Sequence, residues 1–387
     1  MTRRTGPGPA PDFGPLIRAR FVERPNRFLV VCDVPDKGRL RAFMPNPGRM
    51  RELLLPDAEL LLAECPTVQP GRKTRFTVVA VMRDGAPVFL HTSANNAVAR
   101  ALIEARSIPG LRDARVIRSE VTVGHSRFDF LLKEQEHPLY LEVKSCTLFG
   151  NGVAMFPDAV TERGRRHLED LAGLADEGRR AAVLFLIHTP RVNWFMPDFH
   201  TDPAFAETLV AVRDRIRILP VSLDWTRGLT LRGTPQLLRI PWDHIEARLV
   251  DRGAYLLVLR LPRKRVLDVG SLGRTSFLPG YYVYVGSAMR NLAARVARHT
   301  RLRKTKRWHI DFLRAAATEC LALPIRTPHR IEVPLAEALG ALFEPGPAGF
   351  GASDSPLDTH LYHSPTHPLN LPSFHAVLER FRMERPK

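Results

Sequence analysis

The chain has 387 residues, 44% of them hydrophobic, which is enough for two or three ordinary cores with no extra scaffold. Its 57 Lys and Arg against 40 Asp and Glu leave a net charge of +17, a field that attracts phosphates, although a GC-rich genome would also enrich arginine. No segment approaches about 18 unbroken apolar residues, the first eleven lack an apolar signal core, and Cys32, Cys65, Cys146 and Cys320 are too far apart for a zinc knuckle, so a cytoplasmic protein with reduced thiols and no membrane association is expected.

Short apolar strands are predicted at 27–32, 40–43, 59–63 and 75–81, separated by Pro and Gly clusters, the spacing of a small barrel. Arg24, Arg27, Arg39, Arg41, Arg49, Arg51, Arg72 and Lys73 lie among Phe28, Phe43 and Phe76. Cations in that company track phosphates while rings stack on bases. The alternative is that the rings fill the barrel and the arginines solvate it. Asn46, Pro47 and Gly48 form a turn.

Beyond the barrel the pattern predicts a helix at 92–106, strands at 114–123, 127–132 and 139–145, a helix at 161–177 closed by Gly178, and an apolar strand at 181–188. Leu139, Leu141 and Val143 fall on one side of the third strand, and Tyr140, Glu142 and Lys144 on the other. Asp129, one short turn earlier, joins Glu142 as a source of hard oxygen ligands for Mg²⁺ or Mn²⁺, with Lys144 as a cation for water or phosphate. A solvated antiparallel strand gives the same alternation. On the second helix Thr161 caps the backbone, while Arg163, Arg165, Arg166 and His167 crowd its positive end. Either an anionic ligand offsets that charge or Glu162, Glu169 and Asp170 neutralise it within the fold. Leu168, Leu171, Leu174 and residues 182–187 read as core.

The order αβββαβ with these carboxylates resembles the PD-(D/E)XK nuclease core. That resemblance implies that Asp129, Glu142 and the Val143 carbonyl hold the metal, that Lys144 orients the attacking water, and that Glu104 on the first helix completes the site. The runs Phe21-Val-Glu-Arg-Pro-Asn-Arg-Phe28, Met44-Pro-Asn-Pro-Gly-Arg-Met50, Arg72-Lys-Thr74, Asn95-Asn96, Arg127-Phe-Asp129, Leu141-Glu-Val-Lys-Ser145 and Phe156-Pro-Asp-Ala-Val-Thr-Glu-Arg-Gly164 resemble the sugar fermentation stimulation protein A family over residues 12–225. Membership would imply an OB-like barrel joined to a PD-(D/E)XK-like domain, binding or cleavage of DNA or RNA, and Arg49 as a phosphate contact.

A stretch rich in Pro, Trp and Arg marks a junction, after which the pattern restarts with strands from Gly253 to 261 and from Gly280 to 287. A helix at 291–299 follows, with Arg295, Arg298 and His299 on one side and Ala293 and Val296 turned away. This part, with its Trp308-His-Ile-Asp311 box, resembles a GIY-YIG nuclease module and a related family of unknown function. The resemblance implies Tyr255 and Tyr284 as signature tyrosines, Arg295 on the scissile phosphate, Glu332 on a metal, and His299 and His309 at the flanks. Two departures stand out: an insertion at 266–279 that must be looped out, and a 350–360 segment without the related family's cysteines. A backbone-binding module is the alternative.

The expected architecture is therefore multidomain α/β and α+β: an OB-like barrel (12–85), a PD-(D/E)XK-like domain (86–228), a linker (229–250) and a GIY-YIG-like domain (251–370). The expected function is metal-dependent hydrolysis of DNA or RNA, with Arg27, Arg49, Arg51, Arg72, Lys73, Arg163, Arg298, Lys304 and Lys306 on the nucleic acid. The competing expectation is a noncatalytic DNA-binding regulator of sugar-utilisation genes, although no helix-turn-helix signal supports it. A metabolic enzyme lacks support, because the chain has no Walker loop or dinucleotide fingerprint. The oligomeric state is not legible.

Overall fold

A computed structural model describes residues 11–65, 74–353 and 355–386. The described residues fall into two compact units, one drawn from 11–198, 202–242 and 385–386, the other from 199–201 and 243–384. Among the described residues no helix is long and apolar enough to cross a membrane.

The first unit opens with β1 (Leu16–Asn26), β2 (Leu29–Val34), β3 (Gly38–Phe43), β4 (Glu59–Glu64), β5 (Phe76–Arg83) and β6 (Ala86–Phe89), in the order β3-β2-β1-β4-β5-β6. Parallel pairing of Ala42 with Phe76 and of Phe43 with Thr77 joins β3 to β5, so five strands close a ring and the sheet loses its open edge there. Val30, Cys32, Ala42, Leu60, Leu62 and Val78 fill the interior. Phe76 is also buried, at 7% exposure, but Phe28 at 48% and Phe43 at 37% stand outside, so the ring-filled barrel holds for one phenylalanine of the three.

Next come α1 (Asn95–Glu104), β7 (Ala114–Val123), β8 (Ser126–Glu134), β9 (His137–Cys146), β10 (Leu148–Gly150), β11 (Val153–Phe156), α2 (Glu162–Asp176) and β12 (Arg180–Ile187). The unit continues with β13 (Trp194–Pro197), α3 (Pro203–Ala211), β14 (Arg217–Trp225) and β15 (Leu231–Leu237). A six-stranded sheet runs β15-β14-β12-β9-β8-β7, and β10-β11-β13 form a small second sheet. β12 lies parallel to both β9 and β14 and is apolar on both faces, as the centre of a helix-covered sheet requires. Leu139, Leu141 and Val143 pack with Val98 and Leu102 of α1. Tyr140, Val183 and Phe185 pack with Leu168 and Leu171 of α2 on the opposite side. Residues 229–250, expected as a linker, contribute β15, which pairs with β14, and α4 (Trp242–Arg248).

In the second unit β16 (Gly253–Leu261) is an interior strand of a sheet ordered β20-β16-β19-β22-β21. Its other strands are β19 (Gly280–Ala288), β20 (Glu319–Arg326), β21 (Glu344–Pro345) and β22 (Leu361–Ser364). Helices α5 (Leu292–Thr300), α6 (His309–Ala316), α7 (Glu332–Gly340) and α8 (Pro372–Arg382) complete it. The insertion expected to be looped out is a hairpin of β17 (Arg265–Asp268) and β18 (Arg274–Phe277). On α5 Leu292 and His299 are buried and Val296 packs on the same core, so Val296 is not turned away from His299, because i and i+3 share a face. Gly253, at φ +140, has Ile325 O 2.1 Å from where a Cβ would stand, so no side chain fits at the start of β16.

Candidate functional site

Antiparallel pairing of β8 with β9 matches Phe130 with Leu141 and Leu131 with Tyr140. One step further the same register sets Asp129 opposite Glu142. There the ladder gives way to a side chain: Val143 N–H donates to Asp129 Oδ2 at 2.7 Å. Phe128 and Phe130, two residues apart, join different cores, so β8 turns over at Asp129 and presents its carboxylate at the crossing. Asn96, in the first turn of α1, donates its amide to Asp129 Oδ1 at 2.7 Å.

Glu142 is 4% exposed. Its Oε1 receives Lys144 Nζ at 2.6 Å and lies 2.5 Å from His167 Nδ1 on α2. A carboxylate only accepts, so Nδ1 carries a proton and Nε2 is left as the acceptor for Arg163 Nε at 3.4 Å. Glu142 Oε2 is buried and has no hydrogen-bond partner among the described residues. Such an atom is one that a water molecule or an ion would satisfy.

The two carboxyls are pushed apart electrostatically. Burial, followed by the charge of Glu142, raises the Asp129 pKa above its ordinary value. Burial opposes ionisation of Glu142 as well, but His167 and Lys144 outweigh it and hold its pKa below the usual range. Asp129 and Glu142 carry oxygens of the hard kind that Mg²⁺ or Mn²⁺ takes, while the Val143 group that meets Asp129 is its N–H. Among the described residues no group of three or more His, Cys, Asp or Glu side chains is placed to hold a metal.

Glu104 does not belong to this site. It is exposed and pairs with Arg100 at 3.3 Å, two helical turns and about 12 Å along α1 from Asn96, the residue that faces Asp129. Sequence reasoning took the acidic residue and missed the amide, although Asn95-Asn96 stood among the recognised motifs. It also groups His167 with the cations at the helix end. Its spacing of four and seven from Leu171 and Leu174 places it on the buried stripe of α2, and that was the available signal.

One buried hydrogen-bond chain lies beside the site. Trp225 Nε1 donates to His188 Nδ1 at 3.2 Å, so His188 Nε2–H donates to Ser145 Oγ at 3.1 Å. Burial depresses the His188 pKa to about 3.

Of the expected nucleic-acid contacts, Arg27, Arg49, Arg163 and Lys306 are exposed and Arg51 is half-buried. Arg72 and Lys73 lie outside the described residues. Arg24 is not a phosphate contact: its guanidinium donates to the carbonyls of Arg27, Asn46, Gly48 and Arg49 at 2.6–3.0 Å.

Arg298 and Lys304 are likewise withdrawn. Asp311 is fully buried and must be paired, so it takes Arg298 at 3.0 Å and Lys304 at 3.0 Å, together with the Arg307 and Trp308 N–H groups. Burial disfavours its charge, but these donors win and depress its pKa far below the carboxylate range.

Tyr255 in the second unit is 1% exposed, with Tyr284 and His299 at ring distances of 6.3 and 5.8 Å. Burial, then Tyr284, raises its pKa, and Arg295 and Glu332 lie close enough to act on it as well. Arg295 sits 4.7 Å from the Trp308 ring. Glu332 accepts from Ser287 and lies 3.5 Å from His360. Ser287, Arg330, Glu332, Ser355 and His360 line a cavity of about 160 Å³. His309 contacts Ser271 at 3.1 Å instead.

Comparison with known proteins matches residues 22–90 to the "SfsA N-terminal OB domain" and 93–228 to the "Sugar fermentation stimulation protein RE domain". Residues 254–383 match "Domain of unknown function DUF123". A sugar fermentation stimulation protein homolog of Methanothermobacter thermautotrophicus is 37% identical over 208 residues, 54% of this chain and 85% of that protein. One from Moorella thermoacetica is 43% identical over 195 residues, 50% of this chain and 83% of that protein. The solved structure of Pyrococcus furiosus SfsA in complex with Ca²⁺ superposes with a TM-score of 0.54 at 29% identity, covering 60% of this chain and 98% of that one.

Proposed function

Because the chain belongs to the sugar fermentation stimulation protein family, we propose that its first unit is a divalent-metal-dependent nuclease acting on DNA or RNA through a PD-(D/E)XK-like site. The observation that carries this reading is the convergence of Asp129 and Glu142 with one Glu142 oxygen buried and unpartnered. That the Pyrococcus relative was solved in complex with Ca²⁺ supports a divalent ion as a ligand.

Asp129, Glu142 and the Val143 carbonyl would hold Mg²⁺ or Mn²⁺, which when bound neutralises phosphate charge and acidifies water. Asn96 and the Val143 N–H fix the Asp129 carboxylate, and His167 fixes that of Glu142. Lys144, only 14% exposed in its side chain, brings an ammonium to the same place, where it stabilises charge growing on the phosphate oxygens and orients the nucleophile. Exposed Arg27, Arg49 and Arg163 hold the backbone.

In the second unit the same class of reading assigns Tyr255, Tyr284, Arg295 and Glu332 to a GIY-YIG-like site. Their mutual proximity supports it. The test of the main reading is cleavage of single- and double-stranded DNA and RNA with and without Mg²⁺ or Mn²⁺. Glu142→Ala and Lys144→Ala are each expected to lower the rate at least about 100-fold, and parental rates in both would overturn the assignment.

The ion pair that occupies Glu142 Oε1 favours a second reading, a binder that does not cleave. It predicts nucleic-acid binding undiminished by EDTA and no product from any of the four substrates.

A further inference from the structure

Segment 350–360, which lacks the cysteines of its related family, brings Ser355 and His360 to Glu332, the first residue of α7. Ser355 Oγ lies 2.8 Å from His360 Nε2, and His360 Nδ1 lies 3.5 Å from Glu332 Oε1. A hydroxyl, an imidazole and a carboxylate thus stand in order, with the ring between the other two.

The ring is held in place. His360 is 2% exposed, its backbone N–H donates to Phe350 O at 2.9 Å, and its carbonyl accepts the Val285 N–H at 2.9 Å. Ser287 donates to Glu332 Oε2, while Oε1 faces the ring. Burial opposes the charge of Glu332, but His360 and Ser287 outweigh it and hold the carboxyl pKa below the usual range. A charged carboxylate facing Nδ1 selects the tautomer with its proton there, and Nδ1 has no hydrogen-bond partner among the described residues that would select the other. Nε2 is therefore the acceptor and the Ser355 hydroxyl the donor. Leu357 N–H donates to Ser355 Oγ at 3.2 Å, which leaves the hydroxyl proton for the imidazole.

All three side chains line the cavity of about 160 Å³, where Met289, Val333 and Pro334 add an apolar wall. An apolar cavity of roughly 150 Å³ accepts a benzene-sized molecule. The space therefore suits a small acyl group. Ser355 is half-buried, so its oxygen is both held and open to that space.

We propose that Ser355, His360 and Glu332 form a nucleophilic relay that hydrolyses small carboxylic esters. Ser355 Oγ bonds to the ester carbonyl carbon as its proton passes to His360 Nε2, and Glu332 steadies the imidazolium that results. The adduct expels the alcohol, which takes that proton, and an acyl group remains on Ser355 Oγ. Water then adds to the acyl carbon and gives a proton to Nε2. Collapse of this second adduct releases the carboxylic acid and returns the proton to Ser355 Oγ. Arg330, on the same lining, is the cation available to the charge that grows on the carbonyl oxygen. The reaction uses neither a metal nor a nucleic acid, so it stands apart from the nuclease reading even though Glu332 is common to both.

The test is hydrolysis of para-nitrophenyl acetate by the full chain in EDTA, together with labelling by diisopropyl fluorophosphate located by peptide mass spectrometry. Ser355→Ala and His360→Gln are each expected to lower the rate about 100-fold, and the label is expected on Ser355. Ser355→Ala removes one oxygen from a half-buried turn, so it tests the chemistry with the packing kept, which thermal unfolding checks. A parental rate no higher than that of Ser355→Ala overturns the relay, as does a labelled protein whose Ser355 peptide is unmodified. Undiminished labelling of Ser355 in a folded His360→Gln variant overturns it as well, because the hydroxyl would then react without its base.

Discussion

Glu142 has one oxygen with two donors and one with none, so its worth to the fold depends on the neighbours that keep it ionised. Removing His167 leaves a buried carboxylate with Lys144 alone. His167→Ala is therefore expected to lower stability by about 1–3 kcal/mol, the cost of an unmade hydrogen bond to a charged group. A shift of the urea midpoint at unchanged m reads this directly, and an unmoved midpoint would show that His167 is not the partner holding Glu142. Gly286 is a second residue with no freedom, because a Cβ there would stand 2.5 Å from the Tyr255 hydroxyl. The glycine lets β19 pass the buried ring of its neighbouring strand.

At the scale of elements, α2 is placed by its first residues. Thr161 accepts from Gly164 N–H at 3.0 Å, and Asp202 accepts the Thr161 N–H at 2.8 Å, so the helix that carries His167 and Arg163 is capped and anchored at one point. Thr161→Ala is expected to cost about 1 kcal/mol. Thr161→Ser, which keeps the acceptor, is expected to recover most of it in the same chemical denaturation measurement. This helix and β7 were legible from sequence because their patterns are local: alternation for the strand, a cap followed by an apolar stripe for the helix. Strand β1 is not among the predicted strands, since its outward arginines and Pro25 break the apolar pattern, and only pairing with β2 and β4 places it inside the sheet. The small sheet was equally hidden, because strands of three and four residues carry no period and β11 meets β13 across some forty residues. The site shows the same division. Asp129, Glu142 and Lys144 announce themselves along one hairpin, whereas Asn96 and His167 reach it only through the packing of α1 and α2 on opposite faces of the sheet.

For the whole molecule, each unit hides an imidazole that must remain neutral, and this fixes the sign of its response to acid. His188 in the first unit is fully buried, and burial depresses its pKa to about 3. His299 in the second is 1% exposed; burial again lowers it, against the pull of Asp311, to about 4. An unfolded histidine titrates near 6.5. Between that value and the folded ones each such imidazole holds a proton in the unfolded chain and none in the native one, so stability rises with pH there, and the buried His200 of the second unit, lowered well below the ordinary value by burial, adds to the effect. Their contribution is complete above about pH 6.5 and is lost as pH falls toward the folded values. Each such imidazole contributes a slope of about 1.4 kcal/mol per pH unit. Asp311 adds to the loss only below the ordinary aspartate range, because its own depressed pKa keeps it charged until then. Thermal unfolding followed from pH 8 to pH 4.5 is thus expected to show flat midpoints above neutrality and falling ones below. His299→Gln should make the acid limb of the second unit's transition shallower, with His200 still contributing, and leave that of the first. Midpoints that stay level down to pH 5 would mean that these imidazoles accept protons without unfolding, and the burial argument would fail for both.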